Sequence, residues 1–508
     1  MLAKSFKIDL TYKNKSVFTV FKMILFETIN LKTAWFITLI LNKHFRLLFL
    51  IFLTFISFCS TYAATARSEI QYLVKEYGLT DVKISIATQN TISGANLYAY
   101  GQNRPMKPAS NNKVFTMVAA LFAIPDSFTF TTTVNYSSNK VKGHILHGDL
   151  YIKFSGNPAL TGGQLSSLIK QIKTTKEITQ ITGDVYLVGN FSGPYIPEGW
   201  TKEDSTFCYG APASSFTINR NCTVVKLAKN PNSLTTRVIT LSNASNITVK
   251  NTAKYTNSAE PTIISMNDDN VLYIRGYLSR AAEKMFKLAI KNPALKTLNT
   301  VDDFLNTNGI KHNKIAITTS IPPGNTEQLS ISSATIGSFI DQTLKHSDNL
   351  YAETILNTIG LKQKGIGSTN GGTAAVQEIL YDKLNLDTSA LTMYDGSGLS
   401  HLDRVTAQFM VNFLTKTYNS SIGQKFYSYL PASGISGTIS YRMGDKLLGK
   451  VHAKTGTLAG VSTLAGYVLT EKNHRISFSI MLNDLKASDR YNARRFQDKV
   501  VDVFYRHL

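Results

Sequence analysis

The sequence predicts an α+β fold in which a domain of helices and antiparallel sheet is interrupted by a large β-rich insertion. Two observations support this prediction. The stretches 64–123 and 333–508 both combine amphipathic helices with alternating strands. The stretch 124–332 between them is rich in threonine, asparagine and short alternating segments, a pattern typical of β structure. We therefore expect one discontinuous domain, 64–123 plus 333–508, around an insertion of one module or two nested modules.

Residues 1–63 have the pattern of an N-terminal extension that carries an export signal. The apolar run Leu47–Phe58 follows Lys43 and Arg46, and small residues come after it. Charged, apolar and small-residue segments in this order are typical of a secretory signal peptide. The run is short for a membrane-spanning helix, although an uncleaved anchor stays an alternative. We expect an exported protein in the periplasm, with the true start codon and leader cleavage left open.

The composition of the chain is that of a globular, basic protein. Of its 508 residues, 43% are hydrophobic and 17% charged, and the formal net charge is +21. A basic surface favours contact with acidic surfaces or polyanions. No basic run interleaved with aromatic residues is present, which argues against nucleic acid as a partner. We expect contact with an anionic cell envelope and leave peripheral membrane association open.

Three cysteines fit an exported chain. Cys59 lies in the leader, which leaves Cys208 and Cys222 as an even pair and predicts one disulfide. Closing this loop of about 15 residues would contribute on the order of 3 kcal/mol. Neither cysteine lies in a cluster with metal-ligand spacing, so we expect no metal site and no cofactor.

The first segment of the discontinuous domain can be divided into elements from its periodicity. Residues 67–79 predict a short helix. The alternating stretches Val82–Ala87 and Ala95–Tyr100 predict two strands of a hairpin. Pro108 suits the first turn of a further helix. The apolar residues of 114–122 predict that this helix is buried.

The remaining elements follow from the same patterns. In the insertion, strands are expected at Phe128–Tyr136, Gly148–Phe154, Ile181–Val188 and Ile315–Thr318, and helices at 162–173, 279–291 and 301–307. In the last segment, helices are expected at Ile336–Leu344, Leu350–Ile359, 405–418 and 487–506, and strands at Val451–Thr457, 463–470 and 476–483. The insertion is thus mainly β, and the last segment supplies further helices and an antiparallel sheet.

A serine and a lysine at the start of the buried helix form a candidate catalytic pair. Ser110 and Lys113 are three residues apart, which places both side chains on one helix face. A lysine at the mouth of a buried helix loses its proton readily and can then accept the proton of the serine hydroxyl. The pattern alone is weak, because Ser-x-x-Lys also occurs at Ser137 and Ser167.

Two later motifs distinguish Ser110 from the other copies. In Ser347-Asp348-Asn349, the serine hydroxyl can relay a proton to a leaving amine and the asparagine can hold a substrate amide. In Lys454-Thr455-Gly456, the lysine favours an anionic substrate and the threonine hydroxyl can bind a terminal carboxylate. The glycine lets a substrate strand approach the sheet edge.

An oxyanion hole completes the expected chemistry. The backbone N–H groups of Ser110 and Thr457 are candidates, because a tetrahedral intermediate needs two such donors beside the nucleophile. A serine, a lysine base, a proton relay and an oxyanion hole together predict acyl transfer.

The three motifs, in this order, resemble those of penicillin-binding proteins and serine β-lactamases. Ser347 follows Ser110 by 237 positions. This long spacing between the first two motifs resembles that of the low-molecular-mass class C penicillin-binding proteins, the D-alanyl-D-alanine carboxypeptidase/endopeptidase family. Further similar segments are 108–110, 148–150, 199–200, 211–212, 219–222, 395–400 and 454–458.

This resemblance covers nearly everything after the leader. It implies a transpeptidase domain, with helices on both faces of an antiparallel sheet, that carries a large β-rich insertion. It also implies a serine hydrolase that cleaves peptidoglycan stem peptides through an acyl-enzyme and is inhibited by β-lactams. The catalytic residues would be Ser110, Lys113, Ser347, Asn349 and Lys454.

Substrate contacts are implied at further positions, some of which depart from the family pattern. Thr455, Gly456 and Thr457 belong to the third motif, and Asp204 and Tyr209 lie in the substrate-facing stretch. His401 stands where an arginine is frequent in the family, and Ala459 where a glutamine is frequent. Recognition of the substrate side chain is therefore expected to differ.

Two alternatives stay open at this point. One is a β-lactamase, although no Glu-x-x-x-Asn loop is evident between the second and third motifs. The other is a non-catalytic wall-binding protein that keeps the fold, which the presence of Ser110, Lys113 and Lys454 disfavours. Carboxypeptidase and endopeptidase action both remain compatible with the sequence.

Overall fold

A computed structural model describes residues 65–193, 196–240 and 247–508 of the chain. The expected leader and Cys59 lie outside these ranges. Among the helices that the structure describes, none combines the length and apolar character that crossing a membrane requires.

The described chain alternates between helices and short strands. The helices are α1 (65–76), α2 (Lys113–Ala123), α3 (Gly162–Thr174), α4 (Pro293–Thr307), α5 (Ile336–His346), α6 (Asn349–Lys364), α7 (Thr369–Leu384), α8 (Ala407–Tyr418), α9 (Gly423–Tyr429) and α10 (Arg490–His507). The first strands are β1 (Lys83–Asn90), β2 (Asn96–Tyr100), β3 (Thr129–Tyr136), β4 (Val141–Lys142), β5 (Ile145–Leu146), β6 (Leu150–Phe154), β7 (Gln180–Ile181), β8 (Val185–Val188), β9 (Cys222–Lys229), β10 (Thr236–Thr240) and β11 (Val249–Asn251). The others are β12 (Lys254–Thr256), β13 (Thr262–Met266), β14 (Leu272–Ser279), β15 (Glu283–Ala289), β16 (Ile315–Thr318), β17 (Thr326–Thr335), β18 (Leu391–Thr392), β19 (Arg404–Val405), β20 (Val451–Leu458), β21 (Val461–Leu469) and β22 (Arg475–Asn483).

A five-stranded antiparallel sheet joins the two segments of the discontinuous domain. Its strand order is β2-β1-β22-β21-β20. Strand β1 pairs with β22 from Lys83 opposite Asn483 to Asn90 opposite Ile476. The predicted hairpin of β1 and β2 and the three late strands are thereby confirmed.

Helices cover both faces of this sheet. On one face, Leu464 and Ile480 pack in a core with Phe496 and Phe504 of α10. On the other face, Ala465 and other sheet residues whose side chains point the same way pack in a second core. This core includes residues of α2 and of α5 to α9. Side chains of successive strand residues point to opposite faces, so a strand buried on both faces reads as continuously apolar. The α+β prediction is confirmed.

The insertion contains two further hydrophobic cores. One core lies against the five-stranded sheet β16-β8-β6-β3-β17 and includes residues of α3 and α4. The other is formed by residues of the strands between β9 and β15. The domain boundaries proposed from the sequence stay a prediction.

One expected helix is wrong. Residues 279–291 contain strand β15, which pairs with β9, and not a basic helix. Phe286 and Leu288 are buried whereas Met285 and Lys287 are exposed, which is the two-residue period of a strand. The helix expected at 301–307 begins earlier, at Pro293, because Asn292 caps it and proline suits the first helical turn.

Candidate active site

Ser110 lies in a single 3-10 turn, Ala109–Asn112, that leads directly into α2. The turn requires a left-handed backbone at Ala109, whose φ is 47°. The turn packs tightly on Gly398. A Cβ atom on Gly398 would lie 1.8 Å from the Ala109 carbonyl oxygen. This packing leaves the Ser110 side chain half-buried at the start of a buried helix.

Lys113 is completely buried one helical turn after Ser110. Its Nζ lies 2.9 Å from Ser110 Oγ, 2.6 Å from Asn349 Oδ1 and 2.7 Å from the Ser397 carbonyl oxygen. Burial lowers the pKa of Lys113 to about 8, against the opposing effect of nearby carboxylates such as Asp395. A neutral amine is therefore accessible close to physiological pH, in contact with the serine hydroxyl.

The second pair of predicted residues, Ser347 and Lys454, is joined by a hydrogen bond. Ser347 ends α5 in the left-handed conformation, with φ 60°, which is uncommon for a residue other than glycine. Lys454 is fully buried on β20, and its Nζ donates to Ser347 Oγ at 2.9 Å and to the Thr455 carbonyl at 2.8 Å. Burial lowers the pKa of Lys454 well below its usual value, and the charge of Lys113 lowers it further.

Strands β20 and β21 run directly beside the turn that carries Ser110. The Thr463 hydroxyl donates to the Pro108 carbonyl at 2.8 Å. A Cβ on Gly456 would lie 2.2 Å from Thr463 Oγ1 and 2.7 Å from the Pro108 oxygen, so only glycine allows this approach. Thr455 is half-buried and Thr457 is exposed on the same strand.

The insertion contributes directly to the site. The Asn349 side-chain amide donates to the Tyr209 carbonyl at 2.8 Å. Arg220 forms an ion pair of 2.5 Å with Asp348, which caps α6. Both contacts come from the loop that the disulfide Cys208–Cys222 closes, with the two Cα atoms 5.3 Å apart.

Asp204, Tyr209 and His401, three of the predicted substrate contacts, lie together. The Tyr209 hydroxyl donates to Asp204 Oδ1 at 3.2 Å, and His401 Nε2 lies 3.8 Å from Asp204 Oδ2. Burial and the neighbouring Asp204 carboxylate raise the pKa of Tyr209 to about 12. Tyr209 is half-exposed, so this group forms part of an accessible wall next to Asn349.

Sequence reasoning missed a group of three buried carboxylates behind Lys113: Glu353, Asp395 and Asp403. Burial and Asp395 raise the pKa of Glu353 to about 8, and the pKa of Asp403 is raised well above its usual value for the same reasons. Within the described ranges, no group of histidine, cysteine or acidic residues has a geometry suited to a metal ion. The four-residue spacing from Asn349 to Glu353 was the available sequence signal, because it places both on one face of α6.

The sheet with helices on both faces, and the buried lysine beside a helix-start serine, define a serine hydrolase of the penicillin-binding class. A profile of the D-Ala-D-Ala carboxypeptidase 3 (S13) family matches residues 67–503. The chain belongs to this family and is a serine-type D-Ala-D-Ala carboxypeptidase. The predicted family is thereby confirmed, and the β-lactamase and non-catalytic alternatives are disfavoured.

Individual relatives agree with this assignment. The chain is 29% identical over 400 residues to D-alanyl-D-alanine carboxypeptidase DacB of Haemophilus influenzae, covering 77% of this chain and 83% of the relative. It is 26% identical over 437 residues to a D-alanyl-D-alanine carboxypeptidase of Actinomadura, covering 82% and 80%.

Solved structures give the same result. The crystal structure of penicillin binding protein 4 (dacB) from Haemophilus influenzae matches with a TM-score of 0.80 and 26% identity, over 86% of this chain and 99% of that one. The same protein complexed with a novel β-lactam matches with a TM-score of 0.77 and 25% identity, over the same shares.

Proposed function

We propose that this carboxypeptidase is exported to the periplasm and hydrolyses peptidoglycan stem peptides through an acyl-enzyme on Ser110. It acts as a D-Ala-D-Ala carboxypeptidase, a D,D-endopeptidase or both, and β-lactams acylate the same serine. The observation that carries the proposal is the contact of 2.9 Å between Ser110 Oγ and the buried amine of Lys113. A related carboxypeptidase structure that holds a β-lactam supports the choice of inhibitor.

In the first step, Ser110 Oγ attacks the carbonyl carbon of the penultimate D-alanine while the hydroxyl proton moves to Lys113 Nζ. The negative charge on the carbonyl oxygen is held by the backbone N–H groups of Ser110 and Thr457. The neutral amine of Lys113 can take this proton because burial lowers its pKa to about 8.

In the second step, the carbon–nitrogen bond breaks, and the proton that Lys113 gained passes through the Ser347 hydroxyl to the leaving amine, which returns Lys113 to its neutral form. Lys454, which donates to Ser347 Oγ at 2.9 Å, holds that hydroxyl in place. Water then attacks the ester carbon and gives a proton to Lys113, which passes it to Ser110 Oγ as the ester bond breaks and the acid product is released. Atoms and protons balance over the cycle, and the net reaction is hydrolysis of one peptide bond.

We assign substrate recognition to both sides of this centre. Lys454 and Thr455 attract the terminal carboxylate, and Gly456 and Thr457 lie along the edge strand that pairs with the substrate backbone. The wall of Asp204, Tyr209 and His401 faces the substrate side chain. His401 lies 3.8 Å from the Asp204 carboxylate. This pairing supports the proposal that the position recognises the substrate side chain by a different chemistry from an unpaired arginine.

A fluorescent penicillin tests the nucleophile. Ser110→Ala is expected to abolish covalent labelling. Ser167→Ala is the matched control, because Ser167 and Lys170 repeat the spacing on an exposed face of α3. Labelling of Ser110→Ala at the wild-type level would overturn the assignment.

Mass analysis of digested muropeptides then defines the reaction. Release of one terminal alanine indicates carboxypeptidase action, and conversion of cross-linked dimers into monomers indicates endopeptidase action. Extraction of the periplasmic fraction tests the proposed export.

A further inference from the structure

We infer that Glu353 is a positioning residue for the base, because it fixes the backbone of Ser397, whose carbonyl holds the amine of Lys113 in its reactive orientation. This inference rests on the proposed role of Lys113 and adds to it an acidic residue that contacts neither the nucleophile nor the substrate.

The first step concerns the hydrogen bonds of a neutral amine. Such an amine has two N–H bonds and one lone pair. Around Lys113 Nζ, Asn349 Oδ1 at 2.6 Å and the Ser397 carbonyl at 2.7 Å can only accept, whereas the Ser110 hydroxyl at 2.9 Å can also donate. Because the two acceptors occupy both N–H bonds, the lone pair is left facing the Ser110 proton.

Both acceptors are themselves fixed. The amide nitrogen of Asn349 donates to the Tyr209 carbonyl, so its oxygen faces Lys113. The Ser397 carbonyl belongs to a glycine-spaced loop, which could otherwise adopt several conformations. A rotation of that one peptide would remove an acceptor from the amine and let the lone pair turn away from Ser110.

Glu353 and Asp395 together oppose this rotation by holding the two peptides on either side of the Ser397 Cα. Only 2% of the residue is exposed, and its Oε1 accepts from the backbone N–H groups of Ser397 at 2.7 Å and Gly396 at 3.0 Å. Asp395 Oδ1 accepts from the next N–H, that of Gly398, at 2.6 Å. Asp395 therefore holds the Ser397–Gly398 peptide, which carries the carbonyl, and Glu353 holds the peptide before it, so the backbone on both sides of the Ser397 Cα is fixed. Glu353 lies one helical turn after Asn349 on α6, so a single helix sets both acceptors of the lysine.

Above its pKa of about 8, on the high-pH plateau, Glu353 is a carboxylate, which suits this task better than an amide. Both of its oxygens accept, and Glu353 Oε2 also lies 3.1 Å from the Gly396 nitrogen. A glutamine has one accepting oxygen, and its NH₂ group would face an N–H donor. Glu353→Gln therefore keeps the size of the side chain and weakens the clamp.

The test is the rate of acylation by a fluorescent penicillin across pH, divided by the titrated concentration of active sites. For Glu353→Gln, we expect the rate on the high-pH plateau to fall about 10²-fold, as expected when a reacting group is misplaced. The rising part of the profile should also move to lower pH, because the Glu353 carboxylate raises the pKa of Lys113.

Asp403→Asn is the matched control. Asp403 is equally buried and also raises the pKa of Lys113, but it accepts from the Tyr394 N–H and the Asn112 side-chain amide and not from Ser397. This variant should shift the profile and lose stability while it keeps the plateau rate per active site. A wild-type plateau for Glu353→Gln would overturn the inference. If Lys113→Ala also kept the wild-type rate, the proposed function itself would fail.

Discussion

The side-chain amide of Asn349 donates a hydrogen bond of 2.8 Å to the backbone carbonyl of Tyr209. The same side chain accepts from Lys113 through its oxygen. A loop of the insertion therefore orients an amide that contacts the base. Because the disulfide Cys208–Cys222 closes this loop, a covalent bond outside the catalytic motifs supports their geometry.

The first prediction concerns this disulfide. The double variant Cys208→Ser and Cys222→Ser should lose roughly 3 kcal/mol of unfolding free energy, because the unfolded chain gains the freedom of an open loop. It should also acylate more slowly, since the Tyr209 carbonyl is less firmly held. Urea denaturation and penicillin acylation measure the two effects. An unchanged rate per folded molecule would show that other contacts fix the loop.

The second prediction concerns pH. Acylation should increase as pH rises through about 8 and then level off, because Lys113 accepts a proton only as the neutral amine and its pKa is about 8. Lys113→Arg should remove acylation, since a guanidinium stays charged. Lys170→Arg, at an exposed lysine of α3, is the control. A flat profile across this range would contradict the assignment of the base.

The third prediction compares two glycines with left-handed backbones. A Cβ on Gly398 (φ 77°) would collide with the Ala109 carbonyl, whereas one on Gly365 (φ 69°) would meet nothing within 4 Å. Gly365→Ala should cost about 1 kcal/mol from the backbone alone. Gly398→Ala should cost several times more and abolish penicillin labelling, because the Ser110 turn must move. Equal losses in thermal denaturation would contradict this packing.

The fourth prediction concerns the ion pair of Arg220 and Asp348. Arg220 also stacks on Tyr351, with 4.9 Å between the guanidinium carbon and the ring centroid. Arg220→Ala should slow acylation about fivefold, since a partly exposed pair contributes about 1 kcal/mol. Arg280→Ala, at another arginine with positive φ, should leave the rate unchanged. If both variants behave alike, Arg220 does not support the second motif.

Local pattern was sufficient for much of the fold and for the motif residues. The alternation of β1 and the apolar face of α5 are local, so they could be predicted from short windows. The helix prediction for residues 279–291 was wrong because the lysines there suggested an exposed helix surface. Pairing with β9 and burial of Phe286 determine the conformation instead. Non-local pairing is not visible in a single window of sequence.

The site residues divide in the same way, into those that local sequence predicts and those that depend on non-local contacts. Ser110 and Lys113 share one turn, and their spacing is readable. The acceptor that fixes Lys113 is a backbone carbonyl of Ser397, which any residue type could supply. Glu353 acts through that carbonyl, and Arg220 acts through Asp348. Such roles depend on contacts between segments 44 to 284 positions apart, so no single motif contains both partners.

The pairing of β1 with β22 has a consequence for how activity is acquired. Lys83 and Asn483 are neighbours in the sheet although almost the entire described chain separates them. Contacts of such long sequence separation make folding slow. Lys454 lies on β20 of the same sheet, so the proton relay cannot assemble before this sheet closes. Under the proposed mechanism, a chain whose synthesis has not yet reached β22 lacks the sheet that places Lys454 and stays inert toward peptide bonds.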